Sequence, residues 1–288
     1  MSICAVIVTY NPDIEVLKKT INELNAINID CCIIDNTKNS YIPPTSKHNN
    51  IIRFEDNYGI AKAQNAGIIF AKEKKYDAII FLDQDSLIRK ESIFSLTEML
   101  NNPKTMIAAP IFKDRDKGFY YKIVDISKTG IRKIIKPEGL CGNKLVSTAI
   151  SSGTLVRTSV FDIVGLMDED FFIDYVDTEW CLRCAKLNIY IEINPHAEMI
   201  HSIGENSLDF YFFRVPVHSP TRRYYRIRNS FLLLRKPSIP KLLAYREIFF
   251  AVAHQALIVT FCKNKLEHCK FMFRALVDAM QKKTGKIV

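Results

Sequence analysis

The stretch AIIFLDQDS, residues 78–86, runs five apolar residues into two aspartates one residue apart, Asp83 and Asp85. An unbroken apolar run of that length is the pattern of a strand buried on both faces of a parallel sheet. Carboxylates at its end do not belong in the core. Either they turn the chain, as Asp does readily, or they stand where ligands bind, outside the carboxyl ends of such strands.

Working outward, the spacing predicts a helix from about Ile60 to Lys74 before this strand, and a further strand over Ile51–Phe54. Nearer the N-terminus, ICAVIV (3–8) and Cys31–Ile34 read as two more buried strands. The helix between them starts at a capping Asp13, with Ile14, Leu17, Ile21 and Leu24 at three- and four-residue spacing. Alternating strands and helices imply an α/β fold, Rossmann-like, with a mostly parallel central sheet flanked by helices. Thr9 and Asn11, Asp35, Asn57 and Gly59, and Asp83 and Asp85 all follow predicted strands, so four polar clusters converge on one sheet edge. Downstream, Met106–Ala109 and Leu145–Ile150 are strand-like, LVRTSVFDIVG reads as strand then helix, and Asp177–Leu187 reads as a helix with acids in its first turn.

No GxGxxG follows the first strand and no GxxxxGK[ST] occurs, which argues against a dinucleotide-binding site and a P-loop ATPase. The N-terminus lacks the basic region and cleavage site of a signal peptide, so a cytoplasmic location is expected. Eight cysteines then read as free thiols or small buried hydrophobes, and the lone CxxC of Cys181 and Cys184 lacks the second pair of a zinc site. The net charge of +9 is unevenly placed. From Arg214 onward 16 Lys and Arg face 3 Asp and Glu, whereas residues 1–213 carry 24 against 28. The division expected is an α/β domain over 1–213, which carries the polar sheet edge, and a basic, mainly helical region over 214–288. Such a basic region attracts phosphates.

Two aspartates at this spacing also suit Mg²⁺ or Mn²⁺, which bind through one or two carboxylates plus substrate phosphates. VIVTYNP (6–12), IIDNT (33–37), NYGIAKAQNAGI (57–68), FLDQDS (81–86), SSGTLVR (151–157), FFIDYVDTEWCLR (171–183) and HSIG (201–204) follow one another in order. Together they resemble the family 2 inverting glycosyltransferases of GT-A fold, and among these the bacterial rhamnosyltransferases. The resemblance implies that Asp85 reaches a Mg²⁺ or Mn²⁺ ion, that His201 completes its shell, and that Asp83 lies near the donor ribose. It implies that Asp35 accepts the imide N–H of a uracil or thymine base, with Thr9, Asn11, Asn57, Gly59, Lys62 and Asn65 around the donor.

Inversion needs a base on the acceptor hydroxyl. The family's ED-x-[DE] segment reads Val176, Asp177, Thr178, Glu179 here, so Asp177 is the expected base and Glu179 the runner-up, with Val176 replacing the usual first acid. The other histidines, His48, His196, His218, His254 and His268, receive no role. The implied activity moves L-rhamnose from dTDP-L-rhamnose to a growing, lipid-linked surface polysaccharide such as O-antigen or capsule. A UDP-hexose donor and a catalytically silent nucleotide-sugar-binding module are the alternatives.

SPTRRYYRIRNSFLLLRK (219–236) mixes arginines and tyrosines, as nucleic-acid surfaces do, but no nucleic-acid fold signature accompanies it. By resemblance Arg222, Tyr225 and Arg226 contact the donor diphosphate or the acceptor. Ile248–Cys262 is apolar over 15 residues, short of the roughly 20 a bilayer core asks for. An interfacial helix on an anionic membrane, at the inner face of the cell membrane, is expected, with a core helix or a homo-oligomer interface as alternatives.

Overall fold

The computed structural model describes residues 1–38, 49–115, 118–201, 207–209, 214–262 and 264–287, with the backbone alone at 201, 207–209 and 214–216. The N-terminal half alternates β1 (Ile3–Thr9), α1 (Ile14–Asn25), β2 (Asp30–Asp35), β3 (Asn49–Arg53), α2 (Ile60–Glu73) and β4 (Ala78–Asp83). A short β5 (Leu87–Ile88), α3 (Lys90–Asn101) and β6 (Ile107–Asp114) follow, then the hairpin of β7 (Ile123–Ile126) and β8 (Arg132–Ile135). Next come β9 (Lys144–Val146), β10 (Leu155–Arg157), α4 (Val160–Val164), α5 (Val176–Lys186) and β11 (Ile191–His201). The chain ends with β12 (Ser207–Asp209), β13 (Arg214–Pro216), α6 (Pro220–Leu233), α7 (Lys241–Phe261) and α8 (Lys265–Met280).

The central sheet has the order β3-β2-β1-β4-β10-β6-β11-β5, with β9 also on β11. β3, β2, β1 and β4 are parallel, as the alternation predicts, and β6 and β11 are parallel to each other. Between them β10 runs antiparallel to β4 and β6. That insertion places the Ser151–Gly153 turn beside the carboxyl end of β4. Strand pleating sorts the core. Cys4, Val6, Cys32, Ile34, Ile79 and Phe81 face one layer, with residues of α2, α4 and α5. Ala5, Ile7, Cys31, Ile33, Ile80 and Leu82 face the other, with residues of α1 and α3. Asp13 caps α1 as its chemistry predicts, its Oδ1 accepting from the backbone N–H of Glu15 at 3.0 Å and of Val16 at 3.3 Å.

Two expectations are corrected. The strand expected over Leu145–Ile150 is a short one, Lys144–Val146. Residue 213, where the division is expected, lies outside the described residues, between Ser207–Asp209 and Arg214–Pro216, which pair antiparallel. The apolar C-terminal helix is 21 residues long, Lys241–Phe261, and by length and composition it could cross a membrane. Its first turns include Lys241, Arg246 and Glu247, which break the apolar run and hide the helix from a reading by hydrophobicity alone.

Candidate active site

The carboxyl ends of β1, β2 and β4 build one side of the site. Thr9 and Asp35 are register partners at the ends of β1 and β2. The Thr9 hydroxyl donates to Asp35 Oδ1 at 3.2 Å, and the Thr37 backbone N–H donates to the same oxygen at 2.9 Å. Asp35 Oδ2 is buried with no hydrogen-bond partner among the described residues. A buried carboxylate oxygen left bare is costly, so this oxygen calls for a further hydrogen-bond donor. Asn11, in a left-handed conformation, donates its backbone N–H to Thr37 Oγ1 at 2.9 Å.

The neighbouring loop carries Asn57 and Gly59. Asn57 Oδ1 accepts from the Gly59 N–H at 2.9 Å, and Asn36 holds the same loop through the Tyr58 N–H at 3.2 Å and the Gly59 carbonyl at 3.3 Å. Lys62 lies 4.3 Å from the centroid of the Tyr58 ring. Asn65 corrects the expected donor contact. Its amide donates to the Met167 carbonyl at 3.0 Å and to Glu169 Oε1 at 2.8 Å, and its oxygen accepts from the Met167 N–H at 2.8 Å. It is a buried strut from α2 to the segment before the acidic loop.

At the end of β4 Asp83 is half-buried and Asp85 exposed. Gln84 between them accepts from the Tyr10 N–H at 2.7 Å, locking this turn to the end of β1. The Asp83 N–H donates to Ser86 Oγ at 3.0 Å and Ser152 Oγ at 3.1 Å. Oxygen donors of this kind fit a hard divalent cation. Among the described residues no cluster of three or more His, Cys, Asp or Glu could hold an ion. Mg²⁺ and Mn²⁺ are commonly bound through one or two carboxylates together with substrate phosphates and water. The side chain of His201 lies outside the described residues.

Ser151 and Ser152 join this edge to the acidic loop. Ser152 holds Asp83, as above, while the Ser151 backbone N–H faces Asp177, in the first turn of α5. Burial raises the Asp177 pKa and the charge of Asp174 adds to it. The N–H groups of Thr178 and Ser151 and the charge of Arg226 pull the other way without cancelling the rise. Asp177 is thus a stronger base than an exposed aspartate. Glu179, the runner-up, points into the protein, bonded to Arg183 Nε at 2.9 Å and Ser238 Oγ at 3.1 Å.

The loop before α5 is strained. Phe172, Asp174 and Tyr175 have φ of 61°, 63° and 65°, a conformation that non-glycine residues adopt at a cost of about 1–3 kcal/mol each. Helix α6 holds it there. The Asn229 amide donates to the carbonyls of Phe171 and Ile173, both at 2.7 Å, and Arg228 donates to the Asp170 carbonyl at 3.2 Å. Tyr225 corrects another expectation. It is buried, stacked on Phe172 with centroids 4.7 Å apart, and its hydroxyl accepts from the Ile287 N–H at 2.9 Å. Arg222 and Arg226, one turn apart on α6, pair with Asp174 Oδ1 at 3.7 and 3.9 Å, and both side chains stay more than a third exposed.

Several residues of this arrangement carried no assignment from sequence. Asp174 is buried, with its Oδ2 lacking a hydrogen-bond partner among the described residues. It lies within FFIDYVDTEWCLR, three residues before Asp177, where a second acid was visible. Glu247, on α7, accepts from Tyr175 Oη at 3.1 Å and pairs with Arg226 at 3.5 Å and Arg132 at 3.2 Å. An acid inside an otherwise apolar helix was its one signal. Cys181 and Cys184 are buried on α5, and burial pushes the Cys181 thiol up to about 12, so they pack as neutral thiols.

The chain is similar to known proteins over nearly its whole length. The family described as Glycosyl transferase family 2 matches residues 4–165. The chain is 46% identical over 288 residues to the dTDP-rhamnosyl transferase RfbF of Shigella flexneri, covering 99% of this chain and 97% of that protein. It is 23% identical to the low-salt glycan biosynthesis hexosyltransferase Agl10 of Haloferax volcanii, covering 98% and 92%. Among solved structures, S. aureus TarS 1–349 in complex with UDP-GlcNAc superposes with a TM-score of 0.57 at 14% identity, covering 98% of this chain and 81% of that one. At that identity the likeness is one of fold.

Proposed function

This chain belongs to glycosyl transferase family 2, and from that premise we propose that it transfers L-rhamnose from dTDP-L-rhamnose, with inversion, to a glycan acceptor of a bacterial surface polysaccharide. The near full-length similarity to a dTDP-rhamnosyl transferase supports the sugar and the nucleotide. The observation that supports the mechanism is the Ser151–Ser152 link, whose one residue reaches the Asp177 carboxylate and whose other reaches the backbone of Asp83.

Asp35 Oδ2 receives the imide N–H of the thymine ring. Thr9 and the Thr37 N–H hold the other oxygen and fix its direction. Asp83 is positioned for the ribose side of the donor and Asp85 for the diphosphate. A Mg²⁺ or Mn²⁺ ion on these carboxylates, with His201 as a further ligand, would neutralise the charge of the departing diphosphate. Arg222 and Arg226, whose side chains are partly exposed, supply further positive charge there. Asp177 takes the proton of the acceptor hydroxyl as that oxygen attacks the anomeric carbon from the face opposite the leaving group. The bond to dTDP breaks in the same displacement and the anomeric configuration inverts. The acceptor we favour is a lipid-diphosphate-linked glycan at the cytoplasmic face of the cell membrane.

The test is dTDP release and product formation by the full chain. It is assayed with dTDP-L-rhamnose, UDP-glucose and UDP-GlcNAc, with and without Mg²⁺ or Mn²⁺, and the product's anomeric configuration is read by NMR. Turnover with dTDP-L-rhamnose in the presence of the ion is expected. Turnover with a UDP-hexose alone overturns the sugar assignment, and nucleotide binding without turnover on any acceptor favours a binding module.

A further inference from the structure

Helices α7 and α8 bury polar side chains and expose large apolar ones. The buried positions of α7 include Glu247 and Gln255, and those of α8 include His268 and Asp278. Each has a partner within the protein. Glu247 bonds Tyr175, Gln255 accepts from Arg223 Nε at 2.7 Å and donates to the His268 carbonyl at 3.1 Å, and Asp278 accepts from Tyr224 Oη at 2.8 Å. Large apolar side chains stand outward among the charged ones. On α7, Leu242, Tyr245 and Phe249 recur at three- and four-residue spacing and are 54%, 62% and 66% exposed. On α8, Leu266, Phe273 and Met280 repeat every seven residues and are 87%, 70% and 74% exposed. A helix on a water-facing surface keeps its large apolar residues inward, and repeats at helical spacing on two helices in contact are more than scattered single apolar residues.

We propose that the outer faces of α7 and α8 form a docking surface for an anionic lipid bilayer, on which the protein lies without crossing it. Charge complementarity selects this occupant. Lys241, Lys265, Lys270 and Arg274 are exposed along the same two helices, and Glu267 is the one exposed acid of α7 and α8. Apolar side chains at the acyl boundary with cations at headgroup level are the pattern of an interfacial helix. A second copy of this chain is a poor occupant, because a two-fold contact through this face would set the cations against themselves. Crossing is opposed by the inner face of α7, whose Glu247 and Gln255 are bonded to the base loop and to α6. The same helix therefore touches the bilayer on one side and the Tyr175–Asp177 loop on the other. The site is thereby held within about one helix diameter, roughly 10 Å, of the headgroups. This surface does not depend on the identity of the transferred sugar.

The experiment is co-sedimentation of the full chain, without donor, with vesicles of phosphatidylglycerol and phosphatidylethanolamine and with vesicles of phosphatidylcholine alone. Binding to the anionic vesicles, weakened by salt, is expected. The triple variant Tyr245→Ser, Phe249→Ser, Phe273→Ser should lower the partition coefficient by more than about tenfold. Its thermal shift with dTDP should stay unchanged, which shows that it is folded. A wild-type chain that stays in the supernatant with anionic vesicles overturns the proposal, as does a folded triple variant that pellets like the wild type. So does a concentration-dependent wild-type dimer that the triple variant abolishes. The dTDP shift is read separately, so failure of vesicle binding leaves the donor assignment standing, and loss of the dTDP shift in the wild type leaves the docking surface standing.

Discussion

Gly59 and Phe172 meet so closely that a methyl group on the glycine Cα would lie 2.5 Å from the Phe172 carbonyl oxygen. The same oxygen accepts the Ile60 N–H at 2.8 Å. The loop on the donor side and the loop that carries the base are therefore in backbone contact, and Gly59, at φ 86°, is required there for both space and conformation. Gly59→Ala should destabilise the protein by about 1–3 kcal/mol and lower transfer in the fraction that remains folded. Denaturant unfolding checks this, and a midpoint equal to that of the wild type would show that the two loops separate freely.

Asp177→Asn separates catalysis from stability. Loss of a general base costs about 10²–10⁴ in rate, whereas donor binding should persist. The folded-state pKa of Asp177 is raised by burial, above an unfolded value of about 3.9. Between those values the native state holds the extra proton, so this group's contribution to stability falls as pH rises through the folded pKa. The asparagine variant should therefore melt at the same temperature as the wild type or higher at neutral pH. A variant that keeps full transfer removes Asp177 from the base role.

The rate should also have an acid limb set by the same group. As pH falls through the raised pKa of Asp177 the base becomes protonated and kcat/KM drops tenfold per pH unit. The midpoint should lie above the ordinary aspartate range. A limb at or below pH 4 would mean that Asp177 is solvated in the working enzyme.

Asp35→Asn puts an amide where the bare Oδ2 now stands. Hydrogen bonds to charged groups contribute about 1.5–3 kcal/mol, so dTDP affinity should fall by about tenfold to a hundredfold. Calorimetric titration with dTDP checks this. An unchanged Kd would place the base elsewhere.

Glu179→Gln should act on the fold. Its carboxylate is paired to Arg183 and bonded to Ser238, and losing the charged partner should cost about 2 kcal/mol. The folded fraction should transfer sugar at close to the wild-type rate. If the rate instead falls as far as in Asp177→Asn with stability intact, Glu179 is the base.

The N-terminal half was legible because its information is local. Ile3–Thr9, Asp30–Asp35 and Ala78–Asp83 announce themselves as apolar runs that end on a polar side chain, and Asp13 caps the helix that its own chemistry predicts. Strand ends in a parallel sheet gather at one edge, so Thr9, Asp35 and Asp83 could be brought together before any coordinate was known. Asn65 and Tyr225 were misread for a physical reason. A polar side chain in a motif bonds ligand or protein equally well, and only the position of Met167, Glu169 and Phe172 decides which.

What tertiary structure alone decided lies at long separation. Tyr175 meets Glu247 across 72 residues, and Asn229 reaches Phe171 across 58. No periodicity records such pairs, because closing loops of that length is governed by the packing of whole helices. The orientation of α7 is the clearest case. Its composition reads as an apolar helix, but burial of Glu247 and Gln255 against Arg226, Tyr175 and Arg223 offsets the cost of hiding polar groups and turns Tyr245 and Phe249 outward. The sequence by itself thus determined the sheet, its polar edge and the chemistry placed there. Only the fold determined which arginines and acids brace the base loop, because buried charges settle where their partners are.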